Sequence, residues 1–309
     1  MKSKKLVLGT ALWGWAIPRV EAFSILDRFV EAGNSWVDCA TNYPINKNKE
    51  DYGLALEWLS QWCSMNKNSI RILVKIGSVD NLGSSLLNLS KKYIFNAYDD
   101  LLLNFGSSLG CVSVHWDNRK NSDLVKETVF ALNELKNQNI DIGLSGIENP
   151  KDYYEAMPKL ADCWIIQCKE NLLTNIARLK YQKFFPNARY YAYGINIGGL
   201  KTAHDDGISA KIRRIDHSSK LKEIFSDALN NDFLSGVGLD TVNGINMSFI
   251  YMNPAYDGVI IGPRNLEQLN STLKVFETLN LLNLDDRASL IGFLKGLQSS
   301  IKFQLNYNS

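Results

Sequence analysis

Short apolar runs of strand length recur along the chain and alternate with segments whose apolar positions repeat at helical spacing. That alternation is the signature of βα units around a parallel sheet. Eight runs qualify as strands: Leu6 to Gly9, Ser35 to Cys39, Ile70 to Lys75, Gly110 to His115, Ile140 to Leu144, Cys163 to Cys168, Tyr190 to Tyr193 and Gly258 to Ile261. Between the first two, Val20, Phe23, Leu26, Asp27 and Val30 to Gly33 read as an amphipathic helix ending at a glycine. Asp51 to Cys63 predicts a second helix with Leu56, Leu59 and Cys63 facing inward, and Leu124 to Lys136 another with Val129, Leu132 and Leu135 inward. Trp58 and Trp62 are expected to pack rather than to touch a ligand. After the seventh run the spacing loosens into a polar, Gly-containing loop from Lys201 to Asp216, followed by a helical stretch at Leu221 to Leu229. Barrels of this type place ligand-covering segments in such a loop. Asp285 to Ile301 is expected to form a final helix laid across the barrel. With no linker and no low-complexity tract, the pattern predicts an α/β fold, a single-domain (β/α)8 TIM barrel over residues 1–309.

Composition narrows the partners. The chain has 309 residues, 45% of them hydrophobic, enough to bury a large core. Its 34 basic and 32 acidic residues leave a net charge of +2, which gives no field to draw in a nucleic acid or an anionic membrane surface. A small-molecule partner is expected instead. No apolar stretch reaches the roughly 20 residues that span a bilayer. The N-terminal MKSKKLVLGTALWGW has basic residues before an apolar run, yet Gly and Trp interrupt it and no small-residue cleavage site follows, so it reads as a barrel strand and not a signal peptide. Cys39, Cys63, Cys111, Cys163 and Cys168 are odd in number and sit mostly in apolar runs, which fits reduced, buried thiols and a cytoplasmic protein. Cys163 and Cys168 lack partners at zinc spacing, so no metal site is expected.

In a (β/α)8 barrel the reacting groups stand at the C-terminal ends of strands. Asp38 lies near the end of the second run, Lys75 closes the third and His115 the fourth, and Tyr43 lies in the loop five residues after Asp38. One such residue alone is as readily a strand cap; their occurrence on three consecutive strands points to chemistry. These four positions resemble the tetrad of the aldo-keto reductases, and the resemblance implies hydride transfer to a carbonyl, which accepts hydride poorly unless a general acid is aimed at its oxygen. Tyrosine can supply that proton, a neighbouring lysine ammonium lowers its pKa from about 10, and an aspartate holds the lysine charged and oriented. Tyr43 is therefore assigned as acid, Lys75 as its modulator, Asp38 as orienter and His115 as a second donor that fixes the carbonyl. No usable Gly-x-Gly-x-x-Gly joins the first strand to a helix, and Gly194 to Gly199 has the wrong spacing, which argues against a Rossmann site. Trp13 and Trp116 are placed as walls of the substrate pocket, with Asn118 adding polarity.

From about Leu6 to Gln268 the chain resembles the aldo-keto reductases. Asp38-Cys39-Ala40-Thr41-Asn42-Tyr43 resembles that family's Asp-Thr-Ala-x-x-Tyr, Glu50-Asp51-Tyr52-Gly53 its Glu-x-x-Gly, and Lys75 and His115 the remaining members of its tetrad. The resemblance implies a nicotinamide cofactor on the later strands. It places Ser145 and Gln167 at the carboxamide and Tyr193 stacked on the ring. It also places Gly262, Arg264 and Gln268 at the adenosine end, where Gly262 would let backbone approach a phosphate and Arg264 could pair with a 2′-phosphate. NADP(H) is the expected cofactor, with NAD(H) as the alternative. His204, Arg213 and Arg214 are further residues that could cover the pyrophosphate. The chain departs from the family at Gly146, where Asn is usual, at Gly194-Ile195-Asn196, which replaces Ser-Pro-Leu, and at Thr272, where Asn is common. The implied activity is reduction of an aldehyde, ketone or sugar carbonyl. The alternative is a nicotinamide-binding regulatory protein that senses redox state, and the intact set of four favours the enzyme.

Overall fold

The computed structural model describes residues 4–66, 70–202 and 217–305. Eight parallel strands close into a barrel in sequence order, β8 pairing back onto β1. They are β1 (Lys5–Gly9), β2 (Trp36–Ala40), β3 (Arg71–Ile76), β4 (Leu109–His115), β5 (Asp141–Ser145), β6 (Trp164–Lys169), β7 (Arg189–Tyr193) and β8 (Gly258–Ile261). Each lies within about a residue of an expected run, because strands covered on both faces read as continuous apolar stretches and leave little room for misplacement.

Among the described residues the α-helices outside the barrel are α1 (Arg19–Glu31), α2 (Leu54–Met65), α3 (Lys91–Phe105), α4 (Ser122–Lys136), α5 (Pro150–Ala156), α6 (Ile176–Gln182), α7 (Ser219–Leu229), α8 (Asp232–Val237), α9 (Val242–Met252), α10 (Leu266–Leu281) and α11 (Leu284–Leu305). Asn121 starts α4 by accepting the backbone N–H groups of Asp123 and Leu124, and Ser90 starts α3 by accepting that of Tyr93. On α2 the inward face is Ala55, Leu59 and Trp62, rotated from the expected Leu56, Leu59 and Cys63. The buried Trp62 Nε1 donates to Asp27 Oδ1 at 2.7 Å. Helix α9 was not legible: nearly all its positions are buried, Asn246 and Ser248 included, so it lacks the one-sided stripe that marks a surface helix. The last helix, α11, packs against α7 and α9, with Leu290, Leu294, Leu297 and Ile301 buried.

The main core lies between sheet and helices. A second small cluster, Val7, Leu73, Cys111, Ile165, Tyr191 and Ile260, fills the barrel. At the strand starts, the Arg189–Asp141 ion pair (2.8 Å) and Lys5 over the Trp36 ring (3.9 Å) plug the N-terminal end. All five cysteines are free thiols. Among the described residues no helix is long and apolar enough to cross a membrane, and no cluster of His, Cys, Asp and Glu could hold a metal.

Candidate active site

At the C-terminal end of the barrel the four expected residues come together around one chamber. It has a volume of about 160 Å³ and is lined by Asp38, Tyr43, Lys75, His115, Trp116, Ser145, Gln167 and Tyr193, with Ala11, Leu12 and Ile17 as its apolar side. Lys75 Nζ sits 2.5 Å from Asp38 Oδ2, both residues buried. The other carboxylate oxygen accepts the amide of Gln167 at 2.7 Å. Lys75 Nζ also stands 4.8 Å from the centre of the Tyr43 ring, and that ring meets His115 edge-on at 5.8 Å.

The electrostatics follow from this packing. Burial opposes the charge on Lys75, but the Asp38 carboxylate outweighs it and holds the ammonium above its ordinary pKa. Tyr43 is pushed up to about 12: burial is the largest influence, and Lys75 only partly offsets it. The expectation that lysine leaves the phenol below its usual pKa therefore reverses in the net, because full desolvation of the phenolate exceeds the pull of one ammonium already shared with Asp38. Tyr43 is a protonated phenol at neutral pH. Burial, and then the Lys75 charge, keep His115 well below the ordinary imidazole pKa, so it is neutral. Its Nδ1 is buried without a hydrogen-bond partner among the described residues.

Trp116 stacks on His115 at 4.1 Å, and its backbone is in the left-handed region at φ 57°. The indole rests on Gly146, where a Cβ would come within 2.3 Å of Trp116 Cδ1. The departure from the family's Asn thus has a steric cause: at φ +70°, beneath an indole, the position admits only glycine without displacement. The loop is held from below by Asp117, which accepts from Arg119 (2.7 Å) and from the Tyr153 hydroxyl (2.6 Å). Asp117, Arg119 and Tyr153 were not singled out from sequence, since only the fold brings Tyr153 under the His115 loop.

Trp13 is not a pocket wall. The chain turns back after β1, with Trp13 bridging Ile17, and the indole is fully buried in the core. Ala11, Leu12 and Ile17 occupy the wall instead. Asn118 is exposed, bonds the Ser85 carbonyl and lines neither cavity.

A long cleft of about 650 Å³ runs away from the chamber. The two share Leu12, Gly194, Ile260, Ile261 and Gly262, so they adjoin. Gly262 is exposed, with no atom within 4 Å of where a Cβ would stand. Arg264 lines the cleft and has no acidic partner among the described residues. Gln268 lines it too, but its Oε1 accepts the Arg264 backbone N–H at 3.0 Å and so helps start α10. Thr272 accepts Asn243 (3.2 Å), and Asn243 accepts Asn196 (3.0 Å), a polar chain that ties the loop after β7 to α9 and α10. Asn243 went unnoticed in the sequence, where nothing distinguishes it from the other asparagines. His204, Arg213 and Arg214 lie outside the described residues.

A parallel eight-stranded barrel with an acid–base cluster at its C-terminal mouth, beside a larger cleft, is a (β/α)8 barrel with its titratable groups where such barrels place their active sites. The profile of the Aldo/keto reductase family matches residues 5–286, and the chain belongs to that family. Its members are carbonyl-reducing oxidoreductases that generally use nicotinamide cofactors. No curated protein sequence matches the chain.

Proposed function

We propose that this protein reduces an aldehyde, ketone or sugar carbonyl to the alcohol with NADP(H), Tyr43 giving the proton. The observation that carries the reading is the assembly of Tyr43, Lys75, Asp38 and His115 around a chamber that adjoins a cleft of about 650 Å³. The cleft fits the cofactor: Gly262 offers open backbone, and Arg264 has no ion-pair partner among the described residues. Ser145, Gln167 and Tyr193 would hold the nicotinamide, and Gly262, Arg264 and Gln268 the adenosine half. The bound nicotinamide supplies the hydride.

Every other part falls to the chain's own side chains. The Tyr43 phenol, kept protonated by burial, donates to the carbonyl oxygen as negative charge grows there. Lys75 stabilises the phenolate left behind, and Asp38 keeps Lys75 charged and in place. His115, kept neutral, carries one ring N–H that can orient the carbonyl. Ala11, Leu12, Ile17 and Trp116 give the chamber an apolar side, suited to an organic aldehyde or ketone or to the apolar face of a sugar.

Titration with NADPH and NADH separately, read by tryptophan fluorescence quenching, tests the cofactor. NADPH is expected to bind more tightly, and Arg264→Ala to weaken it by about tenfold more than NADH, the loss of one charge-assisted pair. A screen for carbonyl-dependent NADPH oxidation then tests the reaction. Binding of neither nucleotide would overturn the reading.

A further inference from the structure

Gln167 is buried, and it spends its amide donor inside the protein. From β6 its Nε2 reaches across the barrel to Asp38 Oδ1 at 2.7 Å, while Lys75 takes the opposite oxygen, Oδ2, at 2.5 Å. Asp38 is thereby gripped on both oxygens, from β3 on one side and β6 on the other. A carboxylate bonded at one oxygen alone can turn about its Cβ–Cγ bond; bonded at both, its plane is fixed, and so is the site of the Lys75 ammonium beside Tyr43.

We propose that Gln167 is a positioning residue for the proton-donating set, acting through Asp38 rather than only on the nicotinamide carboxamide. The inference rests on the reading of Tyr43 as acid for its catalytic consequence, but the Asp38 bond itself can be tested without turnover. The two roles use opposite ends of the side chain. A carboxamide N–H₂ would be received by the Gln167 oxygen, and a glutamate would receive it equally well. Asp38 needs a donor, which a glutamate provides only while protonated.

Gln167→Glu separates them. In the cofactor-free protein, ionisation of the new carboxylate sets two buried anions against each other, so its pKa rises in the folded state. The stability it supports is present at low pH and lost as pH rises through that raised value. Thermal unfolding should show Gln167→Glu near wild type in mild acid and falling progressively below it toward neutral and alkaline pH. Gln167→Leu should lose stability without that added slope. Combining Asp38→Asn with Gln167→Glu restores one amide and one carboxylate, and should flatten the slope. A Gln167→Glu profile parallel to wild type, or a slope that Asp38→Asn leaves unchanged, would overturn the proposal.

With NADPH and 4-nitrobenzaldehyde as probes, Gln167→Glu should retain NADPH affinity. Its kcat should fall roughly tenfold or more at neutral pH, the worth of a hydrogen bond to a charged group, and recover on acidification. Weakened NADPH binding with kcat unchanged would also overturn it. If the wild-type enzyme reduces no carbonyl, the functional reading fails, while the unfolding profiles still decide whether Gln167 holds Asp38.

Discussion

The reaction chamber and the long cleft meet at Gly194, Ile260 and Gly262 but are built on different plans. The chamber stands on strand ends: Asp38, Lys75, His115, Ser145 and Gln167 are buried, and Asp38 is bonded at both oxygens. The cleft stands on loops and helix starts: the turn after β7, the first residues of α9 and the Gly262–Arg264 segment before α10. Its polar groups bond one another in a relay from Asn196 to Asn243 to Thr272, and Arg264 stays unpaired among the described residues. Buried charges demand exact partners because low dielectric makes every unmet one costly. Water-facing groups do not. Changes in the chamber should therefore act on catalysis and folding together, whereas changes in the cleft should act on affinity alone.

The sharpest separation is expected from Tyr43→Phe. Removing the proton donor should lower kcat by on the order of 10²- to 10⁴-fold while NADPH still quenches the tryptophan fluorescence. Retained turnover would break the assignment of the acid. Lys75→Met should come next, and as a folding effect: with Asp38 left buried beside an apolar chain, urea unfolding should show a loss of about 3–5 kcal/mol. A loss no larger than that of a surface variant would mean that the chamber tolerates an unpaired charge.

Gly146→Asn, which puts the usual family residue back, should cost about 1–3 kcal/mol by displacing the Trp116 indole. The loss should come with a changed near-ultraviolet circular dichroism signal as the indole leaves His115. The smallest effect concerns acid stability. His115 is neutral in the fold because burial and Lys75 depress its pKa, whereas the unfolded chain takes up a proton near pH 6.5. The unfolded state therefore binds more protons below that value, and the stability tied to His115 is complete above it and falls as pH drops. His115→Gln should flatten this acid limb in denaturation midpoints taken across mildly acidic pH. An unchanged limb would show that other groups set it.

The eight strands, and Asp38, Lys75 and His115 with them, were legible in the sequence because a strand buried on both faces is an unbroken apolar run and a titratable group at its end stands out; Tyr43, in a loop, was legible only through the motif it shares with the family. Other features depended on packing. Trp13 reads as a wall residue until the turn after β1 folds it into the core. Trp62 turns inward on α2 because its indole finds Asp27, a partner on another helix. Helix α9, apolar on nearly every side, carried no period to detect. Asn243 became part of the cleft only when α9 docked against α10.

The sequence by itself determined the barrel, its strand order and the identity of the groups at its mouth, because burial on two faces, isolated strand-end charges and a short motif around Tyr43 are local properties of the chain. Only the tertiary structure decided how those groups bear on one another. Desolvation outweighs the Lys75 charge at Tyr43, Gln167 crosses the barrel to Asp38, and Trp116 lies on Gly146. Each of these is a balance between groups far apart in the chain, and such balances are set by distance and burial, which no stretch of sequence contains.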